Sequence, residues 1–443
     1  VNLTDARGLA VSAPSRDALA GFEKALIAWY SFKGEPLSLI DSVLAQWPDF
    51  GMAHILRALV LIGLGEQRFS RAARRSLDHA RGRHAELTSR EQQLFTIAED
   101  LLQDRSAAAS QKLDALLVAE PKDLLSLHLG HSIDFNRGDH WNLRNRVMRV
   151  LPYWQQSDPG YANVLAMLAF GLEECNQYPQ AEETGQQALA LAPDNPWAIH
   201  AIAHVMEMCG RIDDGVEHLR RSEKHWAVDS PFAYHNWWHL ALFHLDRNEP
   251  DVVLALYDEH IDTADAGFAL GKLDATSLLW RLQLLNLDVA QRWLPLSAWW
   301  REQLERECGH NAFHDFHAAL AFAAIGDLES LHLMQRLLRE RNGSSAAGHS
   351  SVQLTLTLPL VSALLAYTQE AWTDAAAALV PLRDAAYVFG GSHAQRDVIT
   401  LTLIAAAANG HEQALAEHFL NERLVAKPAS PLGWRLKERL LPG

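Results

Sequence analysis

The chain has 443 residues, 49% of them hydrophobic, and a formal charge of -15 from 54 acidic against 39 basic residues. No basic stripe exists to neutralise a phosphate backbone, so a nucleic-acid partner is excluded. Three cysteines, Cys175, Cys209 and Cys308, are odd in number and far apart, which argues against a disulfide framework and for a reducing compartment. The opening VNLTDARG lacks the basic and apolar regions of a signal peptide, and no apolar run approaches a membrane span. A cytoplasmic chain with no membrane partner is expected. The oligomeric state stays open, a homo-oligomer included.

Alanine and leucine dominate and β-branched runs are few, so the expected fold is all-α, with a strand considered only for TLTL at 355–358. In chain order, helix–turn–helix units begin near 20 (turn at Gly34–Glu35–Pro36), 51 (Gly65), 90 (Asp104), 124 (Gly138), 162 (Asn176) and 196 (Gly210). Further units begin near 234 (Asn248–Glu249–Pro250), 271, 312 (Gly326–Asp327), 356 and 396 (Gly410). The basic cluster RAARR at 71–75 reads as one solvated helix face.

Two stretches fix the register. Residues 162–195 and 196–229 are each 34 long; the first carries Ala169, Tyr178, Ala181, Ala188 and Pro193 at repeat positions 8, 17, 20, 27 and 32. The second carries Ala203, Gly210 and Gly215 at positions 8, 15 and 20. This is tetratricopeptide spacing, with small residues where two helices cross and a turn residue between them. It predicts a tetratricopeptide-type α-solenoid of about ten or eleven units, a superhelix with a concave groove. Residues 1–340 would form the main solenoid, RNGSSAAGHSS at 341–351 a flexible loop, and 352–443 helical units that cap or continue the stack.

In such a repeat the first helix lines the groove through positions 2, 5, 9, 12 and 13, which here are Trp197, His200, His204, Glu207 and Met208. The next unit begins AYHNWWHLALFHL, putting His235 and His239 four apart on the adjacent helix. His128 holds position 5 of the 124 unit, and His314 and His317, with Asp315, open the 312 unit. Imidazoles at i and i+4 chelate one divalent metal (Zn, Fe or Mn), so His200, His204, His235, His239 and Glu207 form a candidate ligand set. The set lacks the HExxH arrangement of zinc proteases. The same imidazoles would serve equally in direct ligand contact or as structural groups shaping an apolar groove.

Three weaker features accompany the histidines. In GGSHAQRD at 390–397, Ser392 and Gln395 have capping-box spacing, and His393 and Arg396 at that helix start would meet an anion. In DATSLLWRLQL at 274–284, Asp274, Ser277 and Arg281 share a face; an internal Asp–Arg contact is the favoured reading, a guanidinium presented to a bound acid the other. Of the 14 tryptophans, Trp238 is expected beside His235 and His239, with Trp237 packed inward.

The blocks WAIHAIAHVMEMCGR at 197–211, YHNWWHLALFHL at 234–245, DATSLLWRL at 274–282 and GGSHAQRDV at 390–398 resemble the tetratricopeptide repeat protein 38 family, in a bacterial-type member. GEPLSLIDSVLAQWPDFGMAH at 34–54, LTSREQQ at 87–93 and GYANVLAMLAFGLEECNQYPQAE at 160–182 do the same. The resemblance spans nearly the whole chain and implies a helical superhelix. It transfers no catalytic residue. Cys209 stands where the family block carries a polar, glutamine-like residue, which puts any role for that thiol in doubt.

Two functions follow as expectations. One is a small molecule or peptide bound in a His/Trp-lined groove by Trp197, His200, His128, Trp238, Arg281, His393 and Arg396. The other is a metal-dependent hydrolase or oxygenase in the same groove, with His204, His239 and Glu207 as its catalytic residues. A pure scaffold with incidental histidines is the third reading.

Overall fold

Leucine- and alanine-rich segments punctuated every dozen or so residues by glycine, asparagine or aspartate fold as consecutive helices. A computed structural model describes residues 3–262, 267–342 and 352–440. The chain forms two compact units, 1–202 with 222–233, and 203–221 with 234–443. In the first unit the helices are α1 (Arg16–Ser31), α2 (Pro36–Gln46), α3 (Gly51–Gly63), α4 (Gln67–Gly82), α5 (Ser89–Leu102), α6 (Ser106–Ala119), α7 (Leu124–Asn136), α8 (His140–Val150), α9 (Tyr161–Glu174) and α10 (Tyr178–Leu191). The division then falls within α11 (Pro196–Met208) and α12 (Ile212–Trp226).

The second unit continues with α13 (Ala233–Asp246), α14 (Pro250–Leu256), α15 (Ala269–Leu284), α16 (Ala290–Glu307), α17 (Ala312–Ala324) and α18 (Leu328–Asn342). It ends with α19 (Leu358–Thr368), α20 (Trp372–Ala385), α21 (His393–Asn409), α22 (Gln413–Ala426) and α23 (Pro431–Leu440). The fold is an all-α, tetratricopeptide-type solenoid arrangement of helix pairs.

The turns explain the pairing. Gly34, Gly65, Asp104, Gly138, Asn176, Gly210, Asn248 and Gly326 all adopt left-handed backbone, with φ between 59° and 71°. In each hairpin from Asp104 onward the next residue's N–H returns to the helix five residues back, as in Arg105 N to Asp100 O at 2.8 Å and Gln177 N to Leu172 O at 2.9 Å. This closes the last open carbonyls of the first helix. The turn expected at Gly410 sits one residue later: His411 takes φ 59°, and a side chain at Gly410 would meet Trp372 Cβ at 3.1 Å.

Three local readings change. TLTL at 355–358 is no strand: Gln353–Thr357 is a π-helical turn leading into α19. A short antiparallel pair, Leu3–Thr4 with Ala10–Val11, was not signalled by any alternating run; Asp5 Oδ1 holds its turn by accepting from the Arg7 and Leu9 N–H groups at 2.9 Å. Of the loop expected at 341–351, Arg341 and Asn342 end α18, and 343–351 lie outside the described residues. Arg71, Arg74 and Arg75 are exposed on α4, as the basic cluster implied.

Each unit closes on itself. In the first, the α1–α2 turn bonds to the unit's final segment: Gly34 N donates to Asp229 O (2.8 Å) and Ser230 Oγ to Phe32 O (2.9 Å). In the second, Asp246 at the end of α13 receives Ser430 Oγ and Leu432 N, both at 2.8 Å, and Trp280 Nε1 donates to Thr402 Oγ1 at 2.8 Å. Residues 396–436 thereby cover the early helices of that unit. This covering buries side chains that a simple open stack would leave on a groove wall.

Candidate metal centre

The α11 stripe keeps its helical register, but its polar members are buried: His204 is 0% exposed and Glu207 5%. His235 and His239 on α13, at 7% and 0%, are equally enclosed, so these positions do not line an open groove. Within the second unit His204, His235 and His239 each offer a ring nitrogen within 4.8 Å of the others. The His204 and His239 rings meet edge-on at 4.3 Å, and His235 and His239 at 4.8 Å. His200, one turn before His204 on the same helix, offers its nitrogen within 4.8 Å of that of His204.

Carboxylates fix two of these rings. His235 Nδ1 lies 2.7 Å from Asp274 Oδ2, and His239 Nδ1 lies 2.9 Å from Glu207 Oε2. A carboxylate on Nδ1 directs the other ring nitrogen outward and raises its basicity, the arrangement found around histidine-bound metals. The favoured internal Asp274–Arg281 contact is therefore replaced: Asp274 serves His235, while Arg281 donates to Ser277 O at 3.0 Å and Ala394 O at 2.7 Å. Glu207 is likewise committed, its second oxygen 3.3 Å from Lys427 Nζ. It orients His239, and among the described residues it does not belong to the group of close ligand atoms.

Burial pushes the His239 imidazole well below its ordinary range, and His235, Lys427 and Arg281 add to this by repelling a further positive charge. The neutral ring is the form with a lone pair for a metal. Asn236, between the two α13 histidines, is 0% exposed, and among the described residues both its amide atoms lack a hydrogen-bond partner. A buried amide in that state is costly unless a polar guest meets it.

Trp238 stands where expected, stacked on His235 at 5.3 Å and edge-on to His239 at 4.8 Å, with its indole N–H on Ser277 Oγ at 3.0 Å. Trp237 packs separately, stacked on His260 at 4.0 Å.

The remaining expected residues have surroundings of their own. In the first unit His128 sits edge-on to Trp29 at 4.8 Å, and burial lowers it to about 4. Trp197 stacks on His200 at 4.7 Å and on Phe32 at 5.0 Å, with Phe232 at 5.4 Å. In the second unit Ser392 caps α21 in the expected box: its Oγ accepts from Gln395 N at 3.2 Å, and Gln395 Oε1 accepts from Ser392 N at 3.0 Å. Arg396 donates to Gly391 O, so it holds the Gly–Gly turn at that helix start, beside His393. His317 Nδ1 bonds Phe313 O at 2.8 Å, while Asp315 Oδ2 accepts from Gly309 N at 2.9 Å.

Asp274 as the His235 partner, Asn236, Phe32, Phe232 and Lys427 were not assigned by sequence. Asp274 alone carried a signal, its place on a face with Ser277. Lys427 lies 220 residues from Glu207, beyond any local pattern.

No protein-family model matches the chain. Among solved structures it is similar to the APC/C hetero-tetramer Cut9–Hcn1 (10% identity, 96% of this chain and 76% of that one, TM-score 0.40). It is also similar to yeast Tom70 (10% identity, 86% and 88%, TM-score 0.40). A tetratricopeptide repeat protein from Parabacteroides merdae is a third (10% identity, 71% and 99%, TM-score 0.31). The fold rests on the helix pairs themselves. Among the described residues no helix is long and apolar enough to cross a membrane.

Proposed function

We propose that this chain is a metalloprotein that holds a divalent transition metal at His204, His235 and His239, and that it belongs with the tetratricopeptide repeat protein 38 family whose blocks it resembles. One observation carries the metal reading: three ring nitrogens within 4.8 Å, two of them on rings anchored by carboxylates. An all-imidazole set suits Zn better than the two-histidine, one-carboxylate pattern of iron oxygenases. A three-histidine centre with one open position activates water, so hydrolysis is the chemistry it supports best. With a fourth protein ligand the centre would be closed and structural.

The test is metal content in full-length protein purified without a histidine tag. The expected result is about one metal per chain, lost in His204→Ala/His239→Ala while helical circular dichroism persists. Protein that is metal-poor and takes up none of Zn, Fe or Mn overturns the reading. Cobalt substitution separates the two coordination states: a visible spectrum that shifts with added azide reports an open position.

The aromatic cluster of the first unit favours a second reading, an apolar ligand recognised there. Among the described residues the buried Trp197 indole N–H has no hydrogen-bond acceptor, which suits a ligand bearing one. Trp197→Phe would then weaken binding of an indole- or phenol-type probe, and unchanged affinity would remove it.

A further inference from the structure

The second unit contains a cavity of about 270 Å³. Its wall joins apolar members such as Leu245, Leu401, Ile404 and Leu436 to the polar Gln283, Asn286 and Asn409 at its edge, and Arg281 reaches it. Arg281 is 3% exposed, and its two hydrogen-bond acceptors are neutral carbonyls, Ser277 O and Ala394 O. Among the described residues no carboxylate lies within ion-pair distance of it.

The carboxylates whose charge reaches Arg281 are already taken. Asp397 is held by Arg423 at 3.0 and 3.2 Å, Glu207 by His239 and Lys427, and Asp274 by His235. Arg281 thus lines the cavity with no carboxylate of its own, its guanidinium 5.5 Å from the centre of the Trp238 ring. A buried cation in that position is unfavourable unless an anion joins it.

From these observations we infer that this cavity binds a monocarboxylate with a hydrocarbon or aromatic body, its carboxylate on Arg281 and its chain among the leucines of α13, α21 and α23. The chemistry follows from the wall. Planar carboxylate geometry suits the fork of the buried Arg281 guanidinium, and the leucines and isoleucine of the wall suit a hydrocarbon or aromatic body. The volume is ample for a small organic guest rather than a single water. Arg439 also lines the cavity and reaches Leu285 O at 3.5 Å, a second, exposed cation beside the same chamber. This inference does not depend on the metal.

The test is calorimetric titration of the full-length protein with octanoate and, separately, with 1-octanol. Octanoate is expected to bind at one site per chain, more tightly than octanol by on the order of tenfold or more. Arg281→Met should remove that preference. Because Arg281 also ties two backbone carbonyls, a second variant guards against simple unfolding: Ala405→Phe fills the cavity from α21, where alanine lines it, and should abolish binding of both probes. No octanoate binding at millimolar concentration overturns the inference, as does equal affinity for octanoate and octanol. Octanoate binding that survives Ala405→Phe overturns it as well.

Discussion

Two carboxylates orient the rings of the candidate metal centre, and each can be altered without touching a ligand. Asp274→Asn keeps the size of the side chain but removes the charge beside His235 Nδ1. Metal affinity is expected to fall by about 10–100-fold with circular dichroism unchanged. Competition with a chromogenic chelator measures this, and retention equal to wild type would reduce Asp274 to a packing role. A second prediction concerns the first unit, where His128 and His131 are buried and their pKa values fall to about 4 and about 3, chiefly through loss of solvation. The unfolded chain takes up these protons near pH 6.5, the folded chain only near 4 and 3. Their contribution to stability is therefore complete above pH 6.5 and is lost as the pH falls toward 4, by on the order of 3 kcal/mol for His128. Urea unfolding at pH 7 and pH 4.5 should show the loss, and His128→Phe should flatten it. The histidine spacing on α11 and α13 was legible in the sequence because i, i+4 residues share a helix face. What those rings bond to was not, since Asp274 lies on another helix and Asn236 reads as an ordinary polar residue.

At the scale of elements, most hairpin turns with glycine, asparagine or aspartate in the left-handed position were legible, although Asn286 between α15 and α16, at φ 62°, was not assigned. They were illegible where another residue takes that position. Glu370 adopts φ 60° between α19 and α20 with no glycine or asparagine to mark it. Glu370→Gly is expected to stabilise the protein by about 1 kcal/mol, since left-handed backbone costs a side-chain-bearing residue roughly that much. A decrease in thermal midpoint would show that the Glu370 side chain contributes more than its backbone costs. The small residue at repeat position 20 has the opposite expectation. Gly215 on α12 is covered by the Phe243 ring of α13, so any Cβ there would collide with it. Gly215→Ala should destabilise by about 1–3 kcal/mol, and Phe243→Leu in the same chain should relieve part of that cost. The 34-residue register anticipated the small residue at this crossing. It did not reveal that an aromatic ring, rather than helix backbone, occupies the space.

At the scale of the whole chain, the repeat pattern gave the succession of helix pairs but not the return contacts that close each unit. Ser430 to Asp246 and Gly34 to Asp229 join residues nearly two hundred positions apart, and no periodicity encodes such partners. The expected groove positions are consequently buried, because residues near 427 cover the inner face of α11 in the second unit. Closure within a unit makes a regional prediction. Asp246→Asn weakens the bonds to Ser430 Oγ and Leu432 N, so amide exchange should accelerate in α13 and in 427–440 while α1–α10 keep their protection. Uniform acceleration across all helices would show that closure is not local to the second unit.

The contact between Lys427 and Glu207 also sets an order in time. A ribosome releases α11 and α13 long before it reaches residue 427, so the histidine wall is assembled while the cation that will neutralise Glu207 has yet to be made. During that interval the imidazoles lack the Lys427 ammonium that later pairs with the Glu207 carboxylate beside them. If the proposed centre holds a metal, its ion would enter most easily before those last helices are in place, and the finished protein would exchange it slowly.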